Sequence, residues 1–365
     1  MSTQLNRRRF LKRLGKTASG ILVAQAGFPA ILKANQDRKL GIALVGLGYY
    51  STSVLAPALQ LTDECELRGI VTGSPDKIPT WQKNYGIKDQ NVYNYENLHE
   101  VANNPDIDVI YIVLPTSMHA QYSIIAANAG KHVWCEKPMA LTVAECQSII
   151  DACNKNKVKL SIGYRMQHEP NTQTLIEYGQ KKKYGNIIKV KAEAGYFDGR
   201  SGHWKQKKSM GGGAMYDMGV YPLNACRYAT SEEPIAVSAR HEIKRPQIYT
   251  EVDETTYFTL EFPSGAIGEG KTSLGMNMNE LRVDCENGWY GLSPFQAYNG
   301  VQGKTSDGIL LNQPIRNQQA RQMDDDALAI KNQTEVMVPG QEGLADIRVV
   351  EAIYKAAESG ERVKI

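Results

Sequence analysis

Acidic residues are missing from the first 34 positions, where seven cations stand: Arg7, Arg8, Arg9, Lys12, Arg13, Lys16 and Lys33. The whole chain carries a net charge of only +3, so the remainder bears net −4. A mildly acidic body with no basic stripe argues against nucleic acid as a partner. Beyond the amino-terminal segment, no apolar run approaches the roughly 18–20 residues that a bilayer span needs. Six cysteines, at 65, 135, 146, 153, 226 and 285, form no C-x-x-C pair and no metal-ligand spacing, so no metal site is expected. Disulfides are open to an exported protein, but six buried small hydrophobes is the simpler reading. Internal repeats and low-complexity tracts are also lacking, and 365 residues at 42% hydrophobic content suit about two globular domains.

What is present at the amino end is "RRRFLK" (7–12), followed by a short apolar stretch and small residues. It fits the twin-arginine export pattern R-R-x-F-L-K, and residues 1–34 are assigned to a signal segment. The other reading is a basic, frayed helix. Cleavage at Ala24-Gln25-Ala26 and cleavage after Ala34 both remain open.

Residues 40–46, "LGIALVG", form the continuous apolar run of a buried parallel strand. Gly46-Leu47-Gly48 then permits a tight turn with close backbone approach to a pyrophosphate, and "STSVLAPALQL" can open a helix facing that anion. The dinucleotide fingerprint wants a third glycine at position 51, which is Ser51, so the motif alone is weak. Context strengthens it. "ELRGIVTGS" (66–74), "VIYIVLPTSMHA" (109–120) and "HVWCEKP" (132–138) read as further strands, with helical patterns such as "LTVAECQSIIDACNKNK" between them. This alternation predicts a doubly wound α/β domain over 38–160. Past the second strand, where NAD sites usually place an acid, stand Thr72-Gly73-Ser74 and Lys77. Hydroxyls and a cation suit a 2′-phosphate, which favours NADP over NAD, although Asp76 is near and Lys77 could simply cap a solvated helix.

After residue 160 the pattern changes to longer alternating strands: "IIKVKAEAGYF", "IAVSARHEI", "ETTYFTLEF" and "LRVDCENGWYGL". They predict an α+β carboxyl-terminal domain (161–365) built on an open, largely antiparallel sheet. An apolar outer face on that sheet would pair with a second subunit, giving a homodimer or homotetramer. "QMDDDALAIKN" reads as a helix amino end whose acids suit the dipole, and "LADIRVVEAIYKAAESG" as a closing helix stopped by Gly360. "RSGHWKQKK" (200–208) is either a loop over the cofactor or a solvated run.

"CEKPMALTVAEC" (135–146) resembles the Gfo/Idh/MocA oxidoreductases, in which an E-K-P tripeptide supplies the catalytic lysine. "VGLGYYS", "VTGSPDK", "IGYRMQHEP" and "GGGAMYDMGVYPLNACRY" resemble the glucose–fructose and aldose–aldose oxidoreductase branch in particular, from about residue 40 to the end. That branch also lacks the third glycine. The resemblance implies Lys137, Asp217 and Tyr221 as catalytic residues. For the cofactor it implies Gly46, Gly48, Tyr49, Tyr50, Thr72, Gly73, Ser74, Lys77, Leu114, Pro115, His119, Glu136, Lys137, Trp204 and Lys205, although Lys205 stands where relatives carry arginine. For the sugar it implies Tyr164, Arg165 and His168 beside Asp217 and Tyr221. His119 and His168 are equally compatible with structural roles.

Moving a hydride to or from a sugar carbon needs a proton partner, and a phenol can serve both directions. An ammonium beside it stabilises the phenolate, which suits Lys137 and Tyr221. Pro222 fits only a first helical turn, so Tyr221 is expected at a helix amino terminus, with Asp217 in the turn before it. A periplasm holds no exchangeable NADP pool. The sequence therefore leads to a periplasmic enzyme whose tightly bound NADP is reduced by one aldose, released as its lactone, and reoxidised by a second sugar in ping-pong fashion. Its partners would be small-molecule sugars, with no membrane attachment after export. The alternatives are a dehydrogenase that releases its cofactor, an NAD-dependent redox glycosidase, which favours histidine near position 221, and a non-catalytic sensor.

Overall fold

Leu40–Val45 (β1) is buried along its whole length, as a strand covered on both faces must be. The computed structural model describes residues 38–365, and the expected export segment lies outside them. Cys65–Val71 (β2), Val92–Tyr93 (β3), Val109–Ile112 (β4), His132–Cys135 (β5) and Leu160–Ile162 (β6) join β1 in a parallel sheet. Its order is β3-β2-β1-β4-β5-β6, so the winding reverses between β1 and β4. Ligands in such sheets bind at that reversal, beyond the carboxyl ends of the strands. Ala56–Leu59 (α1), Ile78–Tyr85 (α2), His119–Asn128 (α3) and Val143–Asn156 (α4) lie between the strands. Helix α4 starts where Thr142 accepts a hydrogen bond from the Glu145 amide. No described helix is long and apolar enough to cross a membrane.

Pro170–Gln180 (α5) leads into a nine-stranded sheet. Its strands are Ile187–Phe197 (β7), Ala236–Glu242 (β8), Thr255–Glu261 (β9), Ile267–Ser273 (β10), Gly275–Cys285 (β11), Gly288–Leu292 (β12), Gly303–Thr305 (β13), Leu310–Leu311 (β14) and Val363–Lys364 (β15). The order is β14-β13-β12-β11-β7-β10-β9-β8-β15, antiparallel except for the β7–β10 pair. "LRVDCENGWYGL", expected as one strand, is a hairpin: Cys285 pairs with Gly288 across Glu286-Asn287. The E-N-G sequence is a tight-turn signal that outweighs the apolar alternation.

One face of this sheet is packed by Val220–Thr230 (α6) and the last helix, and all six cysteines are buried and unbridged. The other face is charged and aromatic. It carries ion pairs, Lys189–Glu269 at 2.6 Å and Lys191–Glu193 at 3.3 Å, with Arg240 over Tyr257 and Arg282 over Trp289. Long cationic side chains lie along the aromatic rings, so the face mixes charge with apolar surface.

Gln318–Lys331 (α7) corrects a second expectation. Asn317 caps it by accepting from the Ala320 amide, and Asp324, Asp325 and Asp326 sit in mid-helix. These acids meet donors on other elements: the amides of Asp63 and Glu64, the His168 ring and the Ser161 hydroxyl. With Ala320, Met323 and Ala327 packed among Ile42, Leu44 and Tyr111, α7 fastens onto the first sheet. Gly340–Ser359 (α8) closes the chain, stopped as expected by Gly360 at φ 71°.

Asp253 ties the two ends of the second half together. Its buried carboxylate accepts from the Met215 amide (2.8 Å), the Thr256 hydroxyl (2.6 Å) and the Tyr354 hydroxyl on α8 (2.6 Å). Removing it strands three buried donors, so Asp253→Ala should lower stability by about 2–4 kcal/mol in urea denaturation. A loss below about 1 kcal/mol would show that the carboxylate is not the anchor.

Candidate active site

The site starts where β1 ends. Gly46 has φ 91°, and a Cβ there would lie 2.4 Å from the Val113 carbonyl, so only glycine permits this turn. A Cβ on Gly48 would meet nothing within 4 Å, leaving its backbone open at the start of a helical stretch. Such an opening, with free amides at a helix amino end, fits a pyrophosphate. Ser51 explains the missing third glycine: fully buried, its hydroxyl donates to the Gly46 carbonyl at 2.5 Å and ties helix to turn.

Thr72 is buried at the end of β2 and its Oγ1 accepts from the Ser74 amide. Exposed Lys77 donates to the Leu47 carbonyl at 2.9 Å, bridging the second-strand loop to the glycine turn. Gly73 faces the Tyr95 ring, so a larger residue would push it away. Leu114 and Pro115 follow β4 on the opposite side. His119 is buried between the Pro138 (2.9 Å) and Leu114 (2.8 Å) carbonyls. Both ring nitrogens face backbone carbonyls, one of which the neutral ring can donate to, so it shapes these loops rather than reaching a ligand.

The chemical end is assembled from both halves of the chain. Lys137, just after β5, donates to the Asp217 backbone carbonyl at 2.8 Å and lies 4.3 Å from the Tyr221 ring centre. Asp217's carboxylate is held by Lys205 (2.7 and 2.8 Å) and the Tyr196 hydroxyl (2.9 Å). Burial opposes its ionisation, but Lys205 and Lys137 outweigh that and hold the carboxyl below its ordinary value. Lys205, expected at the cofactor, thus directs its ammonium to Asp217, with the Trp204 ring 5.9 Å away. Arg165 lies 5.7 Å from the Tyr221 ring.

Three expectations are corrected here. Tyr221 is not at a helix amino terminus: the helical stretch begins at Ala214–Met215 with a π turn over Met215–Gly219. That wider turn lets Pro222 sit past the first turn, so the dipole acts on Asp217 rather than on Tyr221. Tyr164 is buried, and burial together with the Asp346 carboxylate raises its phenol well above the ordinary value. It belongs with the Arg227–Asp346 pair in the core. His168 is buried and bonded through Nδ1 to Asp325, clasping α7 rather than facing an opening.

Beneath the site, Glu136 accepts from the Tyr111 hydroxyl at 2.7 Å, and burial pushes its carboxyl up to about 7 despite Lys137 and Arg165 nearby. Tyr111, Tyr196 and Tyr298 were not singled out from sequence. Tyr196 stands at the end of the strand leading to the Trp204–Lys205 loop, which is the one signal that could have found it.

A family profile of oxidoreductases with an NAD-binding Rossmann fold, Gfo/Idh/MocA, matches residues 40–164, and the profile of its carboxyl-terminal domain matches 172–291. The chain belongs to the Gfo/Idh/MocA family. A crystal structure of aldose–aldose oxidoreductase from Caulobacter crescentus, complexed with glycerol, superposes with a TM-score of 0.87 at 37% identity, covering 90% of this chain and 100% of that one. D-xylose 1-dehydrogenase [NADP(+)] of Haloarcula marismortui is 26% identical over 349 residues, covering 90% of this chain and 94% of that protein. D-glucoside 3-dehydrogenase of Escherichia coli is 23% identical, covering 89% and 97% respectively. This Gfo/Idh/MocA chain is therefore a nucleotide-binding Rossmann oxidoreductase with a mixed, mostly antiparallel second sheet.

Glu136 gives the site a pH signature. Its carboxyl rises from 4.5 to about 7 on folding, so in that window the unfolded chain gives up a proton that the folded one keeps. Stability falls as pH rises through it, by about 3 kcal/mol in all. Glu136→Gln should remove this share, gaining on the wild type between pH 5 and pH 8 in urea denaturation. An equal gap at both pH values would mean that the carboxyl is not held protonated.

Proposed function

We propose that this protein is an exported sugar oxidoreductase that keeps NADP bound and passes a hydride from one aldose to a second sugar. The observation that carries the reading is the meeting of Lys137, Asp217 and Tyr221 at the carboxyl end of the nucleotide-binding sheet. The likeness to an aldose–aldose oxidoreductase over nearly the whole chain supports the substrate class. Thr72, Ser74 and Lys77, with no acid among 72–75, support NADP, as does the NADP(+) in the name of the xylose dehydrogenase relative.

The residues would divide the work as follows. The chemistry NADP supplies when bound is reversible acceptance of a hydride. Tyr221 Oη takes the hydroxyl proton of the first sugar as its carbon loses hydride, giving the lactone. The same proton returns to the carbonyl oxygen of the second sugar as that carbon gains hydride, so the cycle closes without net loss of either. Lys137 and Arg165 place two positive charges against the ring that is negative, as phenolate, before it takes that proton and again after it returns it. Asp217, fixed by Lys205 and Tyr196, is poised to accept a sugar hydroxyl and holds Lys137 through its own carbonyl. Export fits this cycle. The "RRRFLK" segment suits a route that carries folded proteins, so nucleotide loaded beforehand would serve where none can be exchanged.

Absorbance and mass spectra of the purified protein test the reading, with NADP expected to co-purify and D-glucose to change its redox state. Protein that holds no nucleotide and consumes added NADP stoichiometrically would instead be a cofactor-releasing dehydrogenase. Tyr221→Phe should keep the nucleotide and lose about 10²–10⁴-fold in turnover. Turnover equal to wild type would remove Tyr221 from proton transfer.

A further inference from the structure

Between β12 and β13 the chain makes a loop over residues 293–302 that carries a tyrosine to the rim of the site. The loop is pinned in several places. Asn279 Oδ1 accepts from the Phe295 and Gln296 amides (2.9 Å each), its Nδ2 donates to the Gln296 carbonyl (2.7 Å), and the Ser293 amide donates to the Gln302 carbonyl (2.7 Å). Phe295 is buried, so three residues later Tyr298 emerges from a fixed anchor. The residue is 42% exposed, yet its ring lies 4.9 Å from the Arg165 guanidinium and 6.0 Å from the Tyr50 ring.

Arg165 makes this more than a surface contact. It is 2% exposed, donates to the Gln318 side chain (2.6 Å) and the Ala297 carbonyl (3.2 Å), and reaches the Tyr298 and Tyr221 rings with one guanidinium. One rigid, buried cation thus spans from the proton-carrying ring to the rim ring. Tyr298 is a little more than half buried, and the Arg165 guanidinium and the pinned loop hold its remaining surface open at the rim. An aromatic ring held partly open beside the site offers a surface on which the C–H face of a pyranose can pack.

We infer that Tyr298 is the wall against which the sugar ring stacks while Tyr221 handles its hydroxyl, and that the 293–302 loop sets selectivity for ring-form sugars. This rests on the sugar oxidoreductase reading above. Tyr298→Ala should raise KM for D-glucose about tenfold while kcat changes by less than about threefold, because the lost contact binds without entering the proton transfer. Glyceraldehyde, which has too few carbons to close a pyranose, should show the same KM in variant and wild type. Tyr298→Phe should restore the low KM for D-glucose, since the π face returns. An unchanged KM for D-glucose in Tyr298→Ala, or an equal rise for glyceraldehyde, would overturn the proposal. Saturation-transfer NMR with D-glucose on the purified protein separates the two readings. Transfer that is lost in Tyr298→Ala while no sugar is turned over would retire the proposed reaction and keep the wall. Absence of transfer in the wild type would retire both.

Discussion

The bond from the Lys137 ammonium to the Asp217 carbonyl is the point on which the rest of the molecule turns. Lys137 belongs to the loop after β5 in the parallel sheet, and Asp217 to the helical stretch that packs under the antiparallel one. The second half alone brings Arg165 near the Tyr221 ring, but the closer cation, Lys137 at 4.3 Å, comes from the first half. The 2.8 Å contact requires that both sheets share one core, and residues 39–365 do form one unit, in which Val45, Ile112 and Cys135 pack in the same cluster as Val190, Phe258 and Ile353. Asp253 fixes one end of the contact by capping the stretch at Met215, and His119 fixes the other by bridging the Leu114 and Pro138 carbonyls. Acting on the same two loops, these groups position a reacting pair without touching it.

Charge is handled differently at the two ends of the site. Asp217 is largely buried yet ionised because Lys205, Lys137 and Tyr196 together outweigh desolvation, whereas at Glu136, one residue from Lys137, desolvation wins. Below about pH 7, two carboxyls around one lysine thus take opposite states. A protonated Glu136 leaves the Lys137 charge uncompensated from below, so its field is directed at Asp217 and the Tyr221 ring. Ionising Glu136 would draw that field away.

Much of the fold was legible in local patterns because those patterns are local in cause. The apolar run at β1, the glycine turn, the alternating strands from 187 onward and the Gly360 stop all depend on near neighbours. Other misreadings have a different cause, a partner far along the chain. Asp324, Asp325 and Asp326 look like a helix start until the amides of Asp63 and Glu64 and the His168 ring appear opposite them. Tyr164 looks like a pocket residue beside Arg165, but the Asp346 carboxylate lies on its side of the turn. Tyr298 shows no motif at all, and it enters the site only because Arg165, 133 positions earlier, reaches its ring.

The same limit applies to the helices themselves. Both stretches that face the site, Ser51–Leu59 and Met215–Thr230, open with a π turn and carry a proline soon after it, Pro57 and Pro222. A proline there removes an amide from the regular ladder and would force a helix start or a kink. A wider turn absorbs the mismatch by shifting the bonding step before the proline arrives. The helix therefore continues through the proline, and its first turn is left over as the piece that meets the site: Gly48 and Ser51 at one end, Asp217 at the other. In these two stretches a proline follows a change of helical step, and the turn before that change supplies Gly48 and Asp217 to the site.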